Sequence, residues 1–431
     1  MLPIVISSGI FIAALILIFT EKMNRTIVGL FGAMLMVTFG LALGFYSEKQ
    51  AIATLDIRTL GLLLGMMILV ALLEPTGFFE FIAVWVGKLS AGRPFRLMIL
   101  LGAVTSILSM FLDNVTTVVL IAPVTILICE ILGFSTAPYL IAEAMLSNIG
   151  GVSTLVGDPP NVLIGSAAGL SFADFLRYSL PLVLVVWFIA LASLLFIFRT
   201  ELSEQAGINI EALKDLDPWK ALRDRKTALS LVVIVLFAVL LFLLEDRLQI
   251  SPLFVAMFCA ALAMVWVKPD IKATLNRVEW DILLFFASLF VMVGGLEAAG
   301  ALAIVSDLIV SLSHMPVVWL GVIVLWLVAF LSAIVDNIPI TIAIIPVILS
   351  LRESGIDVQP LWWALAFGAG FGGNGTIIGS TANVVVTTLS EKTRSPITAK
   401  KWNRTGMPVS LISLVAATLV YILVSFTNGW G

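Results

Sequence analysis

The chain has 431 residues, 61% of them hydrophobic and 12% charged, with a net charge of −3 and a mean hydropathy of +1.14. A soluble domain carries roughly 25% charged residues, so this chain cannot cover a water-facing surface. Its charge balance excludes a basic face for nucleic acid, two cysteines exclude a disulfide framework, and a single histidine, His314, argues against a His/Cys metal centre.

Apolar runs close to the ~20 residues needed to cross a bilayer recur from the start. The first, Ile4–Phe19, leads straight into others without a cleavage-site pattern and reads as a span, not a signal peptide. Ten full spans are predicted near 4–19, 26–45, 59–86, 138–168, 179–198, 228–244, 252–267, 280–311, 359–390 and 406–426. Two more apolar segments, 97–129 and 317–349, are interrupted in the middle and read as re-entrant hairpins. The spans at 59–86, 138–168, 280–311 and 359–390 are too long for simple helices, with Glu74-Pro75-Thr76-Gly77 and Asp158-Pro159-Pro160 as natural break points. The polar stretch 199–226 reads as a linker, either with an interfacial amphipathic helix or simply solvated.

With the N-terminus outside, 19 of the 24 Lys and Arg residues fall in cytoplasmic loops, Arg25 among them, and five (Lys49, Arg58, Arg177, Arg247, Arg352) fall outside. That is the bias of the positive-inside rule. It puts the central loop in the cytoplasm of a multi-pass protein of the cell (plasma or inner) membrane.

The halves align at an offset of 223 residues, which places Glu74 on Glu297, Asp113-Asn114 on Asp336-Asn337 and Pro123 on Pro346. At an offset of 222, Gly150-Gly151 falls on Gly372-Gly373, Thr154 on Thr376, Gly157 on Gly379 and Asn161 on Asn383. Each half has five crossings and one hairpin. Five is odd, so the second half must be inverted. The fold class is therefore all-α and polytopic: residues 1–198 form the first inverted repeat, 199–226 the linker and 227–431 the second repeat. Interrupted segments at matching places in inverted repeats point to a transporter's binding site.

Four polar breaks carry the candidate residues. The hairpin tips supply Asp113, Asn114, Thr116 and Thr117, then Asp336, Asn337 and Thr341. The Gly-rich breaks supply Asn148, Gly150, Gly151, Ser153, Thr154, Asp158 and Asn161, then Gly373, Asn374, Thr376, Ser380, Thr381 and Asn383. Unpaired backbone costs several kcal/mol per group in hydrocarbon, so such loops persist at depth only against protein or a water-filled site. Asn, Ser, Thr and bare carbonyls are hard donors for Na⁺, and half-helix N-termini offer amides to an anion. Asp113, Asp158 and Asp336 bring negative charge with no basic residue nearby in sequence or in the membrane. They are candidate proton or cation sites or, alternatively, caps of broken helices. Glu143 reads as a proton carrier or a partnered structural acid, and Glu74 and Glu297 as functional groups or as hinge or capping residues.

Leu112-Asp113-Asn114-Val115-Thr116-Thr117, Ala122-Pro123-Val124-Thr125, Ser147-Asn148-Ile149-Gly150-Gly151, Gly157-Asp158-Pro159-Pro160-Asn161 and Gly372-Gly373-Asn374-Gly375-Thr376 together resemble the P-protein type of permease. That group stands with arsenite-efflux permeases and D-type sodium/proton antiporters in the ion transporter superfamily, beside citrate and dicarboxylate carriers. The resemblance implies a scaffold domain (spans about 4–86 and 228–311) at a homodimer interface. It also implies an elevator-like transport domain (about 97–198 and 317–426). Carboxylate carriers of the superfamily carry Ser-Asn-Thr at both tips, where this chain has Asp113-Asn114-Val115 and Asp336-Asn337-Ile338. The expected function is not enzymatic. It is secondary transport of a small inorganic solute, arsenite-like or another oxyanion, coupled to H⁺ or Na⁺, without other cofactor and with Na⁺ held near Asp113 and Asp336. The alternatives are a sodium/proton antiporter and a citrate or dicarboxylate carrier. A channel and an intramembrane aspartyl protease fit less well, because hairpins from both sides suit alternating access and a Gly-x-Gly-Asp pattern is missing.

Overall fold

A computed structural model describes residues 1–19, 23–204, 217–301, 315–427 and 429–430. Lys22, Lys214, His314 and the end of the span expected at 280–311 lie outside the described residues. Among the described residues all regular structure is helical, with no strand. Among the described residues eight helices are long and apolar enough to cross a membrane, and four shorter apolar helices accompany them.

In chain order the main helices of the first half are α1 (Leu2–Phe19), α2 (Arg25–Leu43), α3 (Ile57–Leu73), α4 (Phe78–Leu89), α5 (Pro94–Ser109), α6 (Asn114–Leu132), α7 (Ala137–Gly151), α8 (Pro159–Ala168) and α9 (Leu180–Ile197). Those of the second are α10 (Arg225–Leu243), α11 (Pro252–Val267), α12 (Trp280–Ala298), α13 (Val317–Ile334), α14 (Asn337–Glu353), α15 (Gln359–Gly372), α16 (Thr381–Ser390) and α17 (Ala399–Thr427). Their starts are legible. Proline, whose fixed φ suits the first turn and whose missing N–H is no loss there, opens α5, α7, α8, α9, α11 and α15. Asn24 and Asp56 cap α2 and α3.

The overlong spans break as expected. A 3₁₀ turn at Glu74–Thr76 separates α3 from α4, residues 152–158 separate α7 from α8, and residues 373–380 separate α15 from α16. The hairpin α5–α6 turns through 110–113 and the hairpin α13–α14 through 335–336.

Equivalent helices of the two halves make equivalent contacts. Helix α3 packs on α11 and α12 on α2, while α5 packs on α7 and α13 on α15. The crossed pairs α6 with α16 and α14 with α8 also match. Every residue of α7 is buried, as is α15 from Leu361 to Gly372. These two buried posts carry the breaks at their C-terminal ends.

Part of the linker is docked, so the expectation of a plain solvated connector is corrected there. The backbone amides of Arg223 and Asp224 donate to the Thr76 carbonyl at 2.8 and 3.3 Å. Arg223 lies 3.5 Å from Glu80, and Trp219 packs on Phe81 with ring centroids 4.9 Å apart. Gly77 makes this approach feasible: its φ is +76°, and a Cβ there would overlap the Ala221 carbonyl oxygen and come within 3.3 Å of the Arg223 amide nitrogen. Gly77→Ala is therefore expected to lower stability by at least about 1–2 kcal/mol, from left-handed strain alone. Thermal unfolding of the detergent-purified protein checks this, and a melting temperature equal to wild type would show that the linker does not depend on that turn.

Candidate functional site

The four polar breaks meet, and Asn148 is where they are tied together. Its Oδ1 accepts from Asn114 Nδ2 on the first hairpin at 2.8 Å and from Ser380 Oγ at 3.0 Å. Its Nδ2 donates to Asn374 Oδ1 at 2.8 Å and Asn383 Oδ1 at 3.1 Å, both from the second Gly-rich break. The second hairpin joins through Asn337, whose Nδ2 donates to both carboxylate oxygens of Asp158 at 3.3 and 3.0 Å. Asn114, Asn148, Asp158, Asn161, Asn337, Asn374, Ser380 and Asn383 are all buried.

The same backbone solution is used twice. Asn161 Nδ2 donates to the carbonyls of Gly151 and Thr154 at 3.1 and 2.8 Å, and Asn383 Nδ2 to those of Gly373 and Thr376 at 2.9 Å each. The Thr154 and Thr376 hydroxyls donate to the carbonyls of Met110 and Ala333, and accept from the amides of Gly157 and Gly379 at 3.1 Å. The strands of each break touch at glycine: a Cβ on Gly151 would sit 2.7 Å from the Gly157 oxygen, and one on Gly373 2.6 Å from the Gly379 oxygen. Gly150 abuts Ser106, and Ser153 donates to the Gly150 carbonyl. Thr341 donates to the Asn337 carbonyl. The Thr117 hydroxyl is buried without a hydrogen-bond partner.

The three aspartates differ. Asp113 caps α6, accepting from the amides of Val115 and Thr116 at 2.9 and 3.0 Å and from the Thr116 hydroxyl. Asp158 makes no cap: Pro159 and Pro160 follow it and have no N–H to give. Asp336 does not cap α14 either. It takes Arg25 Nη1 at 2.8 Å and Thr381 Oγ1 at 3.2 Å. This corrects the expectation that the tip acids have no basic partner, for Arg25 opens α2 beside the second tip although 311 residues separate it from Asp336 in sequence.

Glu279, which the sequence did not single out, stands at the start of α12 and meets Thr116 Oγ1 at 3.0 Å. Thr116 thus touches two carboxyl groups with one hydroxyl proton. Both contacts can be hydrogen bonds only if Asp113 or Glu279 carries a proton. Neither Arg25 nor Glu279 had a local signal, since each is a span-end residue whose partner comes from the other half.

Two cavities reach the tips. One of about 150 Å³ is lined by Asp113, Thr116, Pro159, Glu279, Glu74 and Arg277, and one of about 260 Å³ by Asn24, Arg25, Asp336, Ile378 and Thr381. Outside this cluster, Glu143 is fully buried and accepts from the Thr125 hydroxyl with its second oxygen unpartnered. Glu74 is 3.8 Å from Arg277, while Glu297 is exposed. The described residues contain no group of three or more His, Cys, Asp or Glu able to hold a metal ion.

Comparison with known proteins agrees with this architecture. The family model CitMHS, citrate transporter, matches residues 15–368. A 46 kDa membrane protein of Mycobacterium leprae is 38% identical over 419 residues, covering 96% of this chain and 97% of the relative. The human P protein is 32% identical over 508 residues, covering 99% of this chain and 60% of the relative. The YdaH transporter of Alcanivorax borkumensis has the same fold at a TM-score of 0.66 and 16% identity, covering 95% of this chain and 100% of that one. The chain is a membrane transporter of the citrate transporter family, CitMHS, within the ion transporter superfamily.

Proposed function

We propose that this transporter is an ion-coupled secondary carrier built from two inverted repeats, moving a small inorganic oxyacid or oxyanion, arsenite-like in size, in exchange or symport with H⁺ or Na⁺. The observation that carries the reading is the convergence of both hairpin tips and both Gly-rich breaks on Asn148 and Asp158. Irregular backbone at depth is stable only where it lines a site or packs on protein. The matched contacts of α3–α11 with α12–α2, and of α5–α7 with α13–α15, support the repeat. The scaffold comprises the spans of 4–86 and 228–311, dimerising through them. The moving unit comprises the hairpins, α7–α9 and α15–α17.

Charge favours a small, weakly charged solute. The acids at the tips and in their cavities (Asp113, Asp158, Asp336, Glu74, Glu279) outnumber the two arginines there, Arg25 and Arg277, so a bare polycarboxylate would meet net repulsion unless cations enter with it. The proton needed by the Asp113–Thr116–Glu279 arrangement favours H⁺ as a coupling ion. A citrate or dicarboxylate carrier is the second reading. The family's name and the presence of Arg25 in the cavity beside Asp336 favour it. The charge bias puts the starts of α2 and α12 at the cytoplasmic side, and both tips sit against those starts, an inward-facing arrangement.

Uptake of arsenite, phosphate and citrate into proteoliposomes, with pH and Na⁺ gradients imposed separately, tests the reading. Flux indifferent to both gradients rejects coupling, and flux confined to citrate selects the second reading. Asp113→Asn and Asp336→Asn are each expected to abolish gradient-driven uptake while the purified variants remain folded. Normal coupled flux in both rejects their role. Asn148→Ala leaves Asn114, Ser380, Asn374 and Asn383 short of a buried partner, so a loss of about 2–3 kcal/mol in stability is expected together with lost flux. Thermal unfolding beside the uptake assay reads both. Wild-type stability would mean that Asn148 does not tie the breaks together.

A further inference from the structure

The two tip aspartates occupy the same place in the repeat but find their donors differently. Asp113 is supplied by its own hairpin: two amides and the Thr116 hydroxyl. At the equivalent position the second hairpin has Pro339, which has neither an amide proton nor a hydroxyl. An N-cap carboxylate accepts from the second or third helical amide, so Asp336 has only Ile338 to turn to within α14, and it makes no such bond. Its carboxylate instead reaches out of the hairpin to Arg25 and Thr381.

Arg25 is held ready for it. Asn24 caps α2 through the Thr26 amide at 2.9 Å, which fixes the first turn where Arg25 stands. The guanidinium lies over the Phe285 ring of α12, 5.6 Å from its centroid. Thr26 also ties α2 to α12 by donating to the Asp281 carbonyl at 3.0 Å. The arginine is thus mounted on the α2–α12 pair, while its partner rides on the second hairpin. Both side chains are partly shielded, at 25% and 20% exposure, so the pair is neither a fully hydrated surface bridge nor a sealed core one.

We propose that Arg25 is an electrostatic latch, a positioning residue that holds the tip of the second hairpin against α2 in the inward-facing arrangement and must release Asp336 before the hairpin can move. This rests on the elevator reading, which assigns α2 to the scaffold and Asp336 to the moving unit. Any sliding of one against the other breaks the ion pair, and Asp336 has no complete set of donors in its own helix to fall back on. Its carboxylate is then free for a coupling cation. Arg25 is in this sense a tethered cation, occupying Asp336 when no mobile one does. Among the described residues, the charged groups acting on this seam include Glu279 and Asp281 on α12 and Asp158 and Asp113 of the first half.

Cross-linking tests it in the full-length protein in proteoliposomes, with Cys129→Ala and Cys259→Ala as background. Met23 and Ile378 are exposed and line the same cavity on opposite sides of the seam. Met23→Cys with Ile378→Cys, bridged by a flexible bifunctional thiol reagent, reports the latched arrangement. Adding Arg25→Gln is expected to lower the yield about fivefold, Arg25→Lys to retain most of it, and Arg25→Asp with Asp336→Arg to recover it. An unchanged yield in Arg25→Gln overturns the latch, as does a loss that the reversed pair fails to recover. The elevator reading fails separately. It requires solute flux to stop once the cross-link closes in the Arg25 protein, so flux persisting through cross-linked carriers rejects motion at this seam even where Arg25 still controls the yield.

Discussion

The constraint on which this structure depends is that backbone unwound at membrane depth must find hydrogen-bond partners without water. Each unpaired group costs several kcal/mol in hydrocarbon, and the fold unwinds in four places. It meets that cost with a short kit used twice: an asparagine spanning the break (Asn161, Asn383), a threonine stitching the break to the hairpin beside it (Thr154, Thr376), and paired glycines that let the strands touch. The aspartates beside these breaks make further contacts, Asp158 with Asn337 and Asp336 with Arg25 and Thr381.

Packing and chemistry are linked through α7 and α15. These helices are wholly enclosed, and enclosure lets a single side chain, Asn148, reach elements from both halves. An amide with two donors and two acceptor positions suits a four-way junction, and here all four are used. A fully satisfied buried network rigidifies.

Much of this was legible in the sequence because apolar runs, prolines and glycines are local signals. The breaks at Glu74-Pro75-Thr76-Gly77 and at Asp158-Pro159-Pro160 follow from proline's missing N–H, and the hairpin tips from polar residues inside apolar runs. The repeat offset matched Asn161 with Asn383 but not Asn148 with Asn374 or Asn383, whose positions in the other half are Gly370, Val152 and Asn161. Arg25 was not legible. It reads as one more loop cation, and its partner lies in the other half of the chain. Glu279 escaped for the same reason, as did the docking of Arg223 on Thr76. Pairings between span ends depend on how the halves nest, and no periodicity carries that information.

The departures from symmetry are as informative as the symmetry. Inverted repeats give a carrier two arrangements related by exchange of roles, and perfect repeats would make them equal in free energy. One substitution, Thr116 in the first half against Pro339 in the second, removes two donors from one tip. The other tip instead sets the Thr116 hydroxyl between Asp113 and Glu279, where both contacts are hydrogen bonds only if one carboxyl carries the extra proton. One tip is therefore completed by a fixed cation on α2, and the other by donors of its own hairpin, one of which also touches Glu279 on α12. Two tips equivalent in sequence thus stand in different electrostatic surroundings, one against Arg25 and the other against Glu279.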